Sequence, residues 1–251
     1  MALRDTLKEA DVDQVVVTGD LSYRGRDSEL ESFHRIFTPL QPRTQLTLVP
    51  GNRDRLGDDV AGRIQPGPRV SVVSGEGVHV VRFDSTGPYN RPGTTERGVL
   101  NDGDVDAISE AIAAAPSETL VVLTMHHHIL PLLAEHAPER LLSWLDRSYA
   151  EDLARGQALL ETLRGRCDLV LHGGGRTPQM MTPFADTTRP LSVYGAGHSN
   201  DLGRVRVFWH ERGRVLGPPA WLRVGLGSTE SQAAPPPSRW MPAAARALFA
   251  A

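Results

Sequence analysis

The chain has 251 residues, 40% hydrophobic and 23% charged, enough for one sizeable core; with aromatics at 6%, that core is mostly aliphatic. A formal charge of -3 excludes the basic footprint of a dedicated nucleic-acid binder, and one cysteine, Cys167, excludes an internal disulfide framework or a CxxC zinc site. No apolar run is long enough to span a bilayer, and the opening MALRDTLKEADVD has no apolar signal core, so the expectation is a cytoplasmic protein without a membrane span.

Taken in chain order, Leu3 and Leu7 lie one turn apart in a short helix over 2–11. Val15, Val16 and Val17 form an all-apolar strand ending in Thr18-Gly19-Asp20, the pattern of a strand buried on both faces. A helix over 28–37 follows, then a strand holding Leu46, Leu48 and Val49, stopped by Pro50-Gly51. Residues 70–73 and 78–83 read as strands, and 85–101 as a long loop. Asp104 is the expected N-cap of a helix carrying Val105, Ile108 and Ile112. A strand over 120–123 runs into Met125-His126-His127-His128. Helices are predicted from Pro138 and over 151–163, then a strand over 169–171 that ends in His172-Gly173-Gly174-Gly175-Arg176. The last third holds strand-like pieces at 191–194, 204–209 and 221–224. Residues 1–227 read as one domain and 228–251 as a Pro/Ala-rich tail ending in a small helix. Helix and strand alternate up to residue 171, which predicts a layered α/β domain, with the strand-rich end forming a second sheet packed on the first.

Four of these strands end in polar or glycine-rich residues: Asp20, Asn52, His126 and His172 follow them. Singly, each reads as an ordinary turn residue. In open α/β sheets, however, ligands gather beyond the carboxyl ends of strands. Together the four direct a carboxylate, an amide oxygen and at least one imidazole to one rim, a set that suits a borderline divalent metal such as Mn, Zn or Fe.

Gly19-Asp20, Gly51-Asn52-Arg53-Asp54, Met125-His126-His127 and His172-Gly173-Gly174-Gly175-Arg176 resemble, in order and strand context, the motifs of the calcineurin-like metallophosphoesterases. Phe83-Asp84-Ser85-Thr86 and the helix before the three histidines are similar to the cyclic-nucleotide phosphodiesterase branch. The resemblance implies an α/β/β/α sandwich of two mixed sheets and two-metal hydrolysis of a phosphate ester. It assigns Asp20 to the bridging carboxylate and Asn52 to the amide ligand of the second metal. His126 matches the mid-chain histidine ligand, with His127 the alternate.

The departures from that pattern carry as much information. The DxH strand that should precede the first helix is missing. The GNH histidine, which in the family assists the leaving group, is Arg53; the GHxH histidines are Gly174 and Arg176. Of the first metal's four ligands only Asp20 remains, and of the second metal's four, Asp20, Asn52 and His126 remain. His127, His128 or His172 could take the vacant position. At most one divalent metal is therefore expected, and no metal at all is the alternative. Arginine stays protonated and cannot ligate a metal, so Arg53 and Arg176 are expected to bind phosphate oxygens instead.

Other motifs carry less. His172-Gly173-Gly174-Gly175 resembles an esterase oxyanion turn, but Gly197-His198-Ser199-Asn200-Asp201 does not complete a GxSxG. Cys167 reads as a small core residue, His34, His79, His136 and His210 as packing residues, and Arg53, Arg55, Arg63 and Arg69 as a solvated loop whose first member faces the site.

The expected function is thus a metallophosphoesterase-family protein with a decayed dimetal site, impaired or inactive, that binds a phosphate-bearing small molecule or a protein partner. The rival is an active phosphodiesterase or phosphatase using one metal or a re-liganded site. A missing first strand would also leave the central sheet with an open slot, an invitation to pair with another chain.

Overall fold

The aliphatic runs of the sequence become the strands of two sheets. The computed structural model describes residues 2–87, 98–128, 147–175, 177–224 and 246–250. The first half contains α1 (Ala2–Glu9), β1 (Gln14–Val17), α2 (Asp27–Phe37), β2 (Gln45–Leu48), α3 (Ala61–Ile64), β3 (Val70–Gly75), β4 (Val78–Phe83), α4 (Asp102–Ala113) and β5 (Leu120–Met125). The second half contains α5 (Arg147–Leu163), β6 (Leu169–His172), β7 (Gln179–Met181), β8 (Ser192–Gly195), α6 (Ser199–Leu202), β9 (Arg204–Glu211), β10 (Arg214–Val215), β11 (Ala220–Arg223) and β12 (Arg246–Ala250). No helix among the described residues is long and apolar enough to cross a membrane.

One sheet runs β10-β9-β12-β1-β2, with β11 also on β9; the other runs β3-β4-β5-β6-β8-β7. Val16, Val78, Val80, Leu120, Val122, Leu169, Leu171 and Phe208 fill the space between them. Ile108 and Ile112 of α4 and Leu159 and Leu163 of α5 cover the outer face of the second sheet. Leu7 of α1 packs with Val15, Val205 and Val207 on the outer face of the first. This is the expected α/β/β/α sandwich of mixed sheets. Each of these fully buried aliphatic side chains contributes ~1.5–3 kcal/mol relative to exposure. Because β1, β2, β5 and β6 run parallel within their sheets, their carboxyl ends open on a common rim.

Three expectations are corrected. The cap of α4 is Asn101, whose N–H donates to the Asp104 carboxylate at 2.8 Å; Asp104 sits one turn in, as the return arm of a capping box. The helix expected at the end of the chain is instead a strand, β12, and it fills the slot expected to stand open, pairing in parallel with β1 and antiparallel with β9. Arg55 and Arg69 are not simply solvated. Arg55 donates to Asp84 at 2.5 Å and to Thr86 at 2.8 Å. Arg69 donates to Asp104 at 3.0 Å and to the Val99 carbonyl at 2.7 Å. The helix expected from Pro138 lies outside the described residues.

Candidate functional site

The rim is built on two interlocked turns. After β1 the chain turns through Gly19, at φ +104°, and Asp20, at φ +57°, backbone that glycine adopts freely and aspartate tolerates. A Cβ on Gly19 would lie 2.3 Å from His126 Nδ1, and one on Gly51 would lie 2.3 Å from the Asp20 backbone nitrogen. The turn after β2 therefore nests against the turn after β1 only because both positions lack a side chain.

Asp54 fastens the two turns. It is fully buried, and its carboxylate accepts the N–H of Ser22 at 2.8 Å, the hydroxyl of Ser22 at 2.6 Å, the N–H of Gly51 at 2.8 Å and the N–H of Leu21 at 3.3 Å. Burial still pushes its carboxyl above the ordinary range against the pull of those donors. Sequence reasoning passed over Asp54 and Ser22. The available signal was an acidic residue three positions after Gly51, spaced to receive a backbone N–H of its own turn.

Asp20, Asn52 and His126 meet here. His126, at the end of β5, donates from Nδ1 to the Thr18 carbonyl at 2.8 Å. That bond leaves the neutral ring with its lone pair on Nε2. Nε2 faces the Asn52 amide oxygen at 3.0 Å and Asp20 Oδ1 at 3.7 Å. Three lone-pair donors thus approach one point, with an outer hydrogen bond fixing the imidazole tautomer, an arrangement that fits a divalent cation. Among the described residues no group of three or more His, Cys, Asp and Glu side chains could hold a metal; the third donor at this rim is an amide.

The other candidates are placed differently. Alternation along β5 turns His127 away from Asp20: its Nδ1 bonds the buried Ser85 hydroxyl at 2.9 Å, and its backbone N–H donates to the same oxygen at 3.0 Å. His128 Nδ1 lies 3.0 Å from His172 Nε2, and His172 Nδ1 lies 3.1 Å from the Gly173 carbonyl. Burial lowers the His172 pKa to about 4, with the neighbouring His128 adding to the shift, so it is neutral near pH 7. A Cβ on Gly173 would lie 2.4 Å from the Thr18 carbonyl, so the glycine run lets backbone, not ligand atoms, approach the rim. His198 pairs with Asp201 on the surface at 3.2 Å. Arg176 lies outside the described residues.

Arg53 stands at the mouth. Its backbone N–H donates to Asp20 Oδ1 at 3.0 Å, and its Nε lies 3.6 Å from Asp20 Oδ2. Its guanidinium lies 4.7 Å over the ring of Tyr23, which is 63% exposed. A fixed positive charge thus borders the one carboxylate of the donor set.

The calcineurin-like phosphoesterase family profile matches residues 1–174, more than half of the chain, and the chain belongs to that family. Among solved structures it is similar to the phosphopantetheinyl hydrolase PptH from Mycobacterium tuberculosis, at 11% identity and a TM-score of 0.41, over 76% of this chain and 81% of that one. No curated protein matches the sequence.

Proposed function

We propose that this member of the calcineurin-like phosphoesterases carries a decayed dimetal site and is an impaired phosphoesterase whose retained capacity is to bind a phosphate-bearing ligand, with a protein partner the alternative. Asp20, Asn52 and His126 would hold at most one Mn, Zn or Fe ion. The observation that supports this is the convergence of His126 Nε2, Asn52 Oδ1 and Asp20 Oδ1, with Nδ1 of the same imidazole committed to Thr18. When bound, a divalent ion supplies charge to phosphate oxygens and acidifies water.

The chain's own residues do the rest. Thr18 holds the His126 tautomer, and Asp54 holds the two turns at their spacing. Arg53 directs its guanidinium to the phosphate oxygens, with Arg176 assigned the same role from sequence. A guanidinium is neither a general base toward water nor a general acid toward a leaving group, so Arg53 fills neither role. General acid–base help is typically ~10²–10⁴-fold, and Arg53, at the position of the family's leaving-group histidine, does not supply it.

Elemental analysis of protein purified without chelator tests the reading, together with hydrolysis of bis-p-nitrophenyl phosphate with Mn, Zn and Fe. No more than one equivalent of metal and feeble turnover are expected. Two equivalents, or robust turnover abolished by Asp20→Ala, would overturn it. A second reading, an active one-metal or re-liganded phosphoesterase, is favoured by the contact of His128 with the buried His172; His172→Gln would then inactivate the enzyme.

A further inference from the structure

β12 occupies an unusual place for a strand met last along the chain. It does not extend an edge. It lies between β9 and β1, with Gln14, Val15 and Val16 in register with Leu248, Phe249 and Ala250 on one side. On the other side it pairs with β9 from Arg206–Ala250 to His210–Arg246. Without it, β1 and β9 would each present an open row of N–H and C=O groups to the same gap, so the gap is shaped for one extended strand and nothing else.

The segment that delivers β12 does not dictate which copy it comes from. β11 ends at Arg223, opposite Arg204 of β9, and β12 begins at Arg246, opposite His210. Returning along β9 and crossing two strand spacings requires about 22 Å. The intervening residues 225–245 reach about 70 Å when extended. A connection of that length lets residues 246–250 enter the gap of their own chain or that of a neighbour.

We propose that the gap between β1 and β9 is a strand-acceptor site, filled in cis by residues 246–250 and open to the same segment of a second copy of this chain. Tethering holds the cis strand at an effective concentration on the order of millimolar, so exchange grows only as protein concentration approaches that range. The proposal is independent of any metal at the rim.

Register partners across a parallel pair lie about 4.8 Å apart, within reach of a disulfide. The test uses full-length chains, in which Cys167 is buried. Val15→Cys and Phe249→Cys together are expected to cross-link within one chain at micromolar concentration. The two single variants, mixed and oxidised, are expected to give a covalent dimer whose yield rises with concentration. Excess synthetic peptide of residues 244–251 lowers that yield, and Leu248→Pro on the donor chain abolishes it, because proline removes a ladder N–H. Amide exchange gives a second readout: in the Leu248→Pro chain, residues 14–17 and 206–210 should exchange at least about tenfold faster. A cross-link confined to one chain at every concentration would overturn the exchange. Unchanged amide protection in Leu248→Pro would overturn the site itself.

Discussion

Replacing Asp54 with asparagine changes almost nothing in shape and nearly everything in hydrogen bonding. The carboxylate receives four hydrogens and gives none: two from Ser22, one from Gly51 and one from Leu21. Asparagine offers one acceptor oxygen and one NH₂. With its oxygen toward Ser22, the N–H groups of Gly51 and Leu21 face a donor; with the amide reversed, Ser22 does. Two hydrogen bonds to a charged acceptor are lost either way, at ~1.5–3 kcal/mol each. Part is returned, because burial disfavours the Asp54 charge and a neutral amide avoids that cost. The net is a loss of about 3 kcal/mol, or roughly 6–12 °C in Tm for a chain of this size. Denaturant titration of wild type and Asp54→Asn measures it, and calorimetric titration with Mn or Zn shows whether Asp20 and Asn52 have lost their spacing. An Asp54→Asn protein within about 0.5 kcal/mol of wild type, with unaltered metal affinity, would refute the idea that this carboxylate fastens the two turns.

Other consequences are as direct. His172, with its pKa depressed from 6.5 to about 4, is held neutral in the fold. Its contribution is present above pH ~6.5 and is lost as pH falls toward ~4, amounting to about 3 kcal/mol that His172→Gln removes from the pH profile of Tm. Gly173→Ala drives a Cβ to 2.4 Å from the Thr18 carbonyl; about 1–3 kcal/mol of stability should go, and the His126 Nδ1 proton should shift in the NMR spectrum as its bond to Thr18 breaks. Arg53→Ala removes a positive charge 3.6 Å from Asp20, which should tighten divalent-metal binding about fivefold at low salt and weaken inorganic phosphate binding.

Local signals carried most of the architecture. Strands such as Val15–Val17 and Leu120–Met125 announce themselves as apolar runs, and the order of Asp20, Asn52 and His126 at strand ends gave the rim. What escaped depends on partners distant in sequence. Arg-Ala-Leu-Phe-Ala has the composition of a helix former, and only the facing edges of β1 and β9 make it extended. Arg55 with Asp84 and Arg69 with Asp104 are pairs whose members lie on separate segments of the chain, invisible until the sheet brings them together. The choice between His126 and His127 needs the phase of β5. Once Val122 faces the other sheet, the two-residue repeat carries through Thr124 to His126 and turns His127 toward Ser85.

Under the proposed reading, charge favours one cation at this rim over two. The donor set contains a single carboxylate, and Arg53 already lies against it through both its backbone N–H and its guanidinium. One divalent ion with Arg53 gives three positive charges against the one negative charge of Asp20. The excess of two is what a phosphate monoester dianion neutralises. A second divalent ion would raise the excess to four, with no further carboxylate in the donor set to offset it. On the proposed reading Arg53 stands in for a cation in binding phosphate, without generating the nucleophile a cation generates. On this argument, inorganic phosphate should raise Tm appreciably only when a divalent ion is also present, and Arg53→Ala should remove the phosphate increment while enlarging the metal increment.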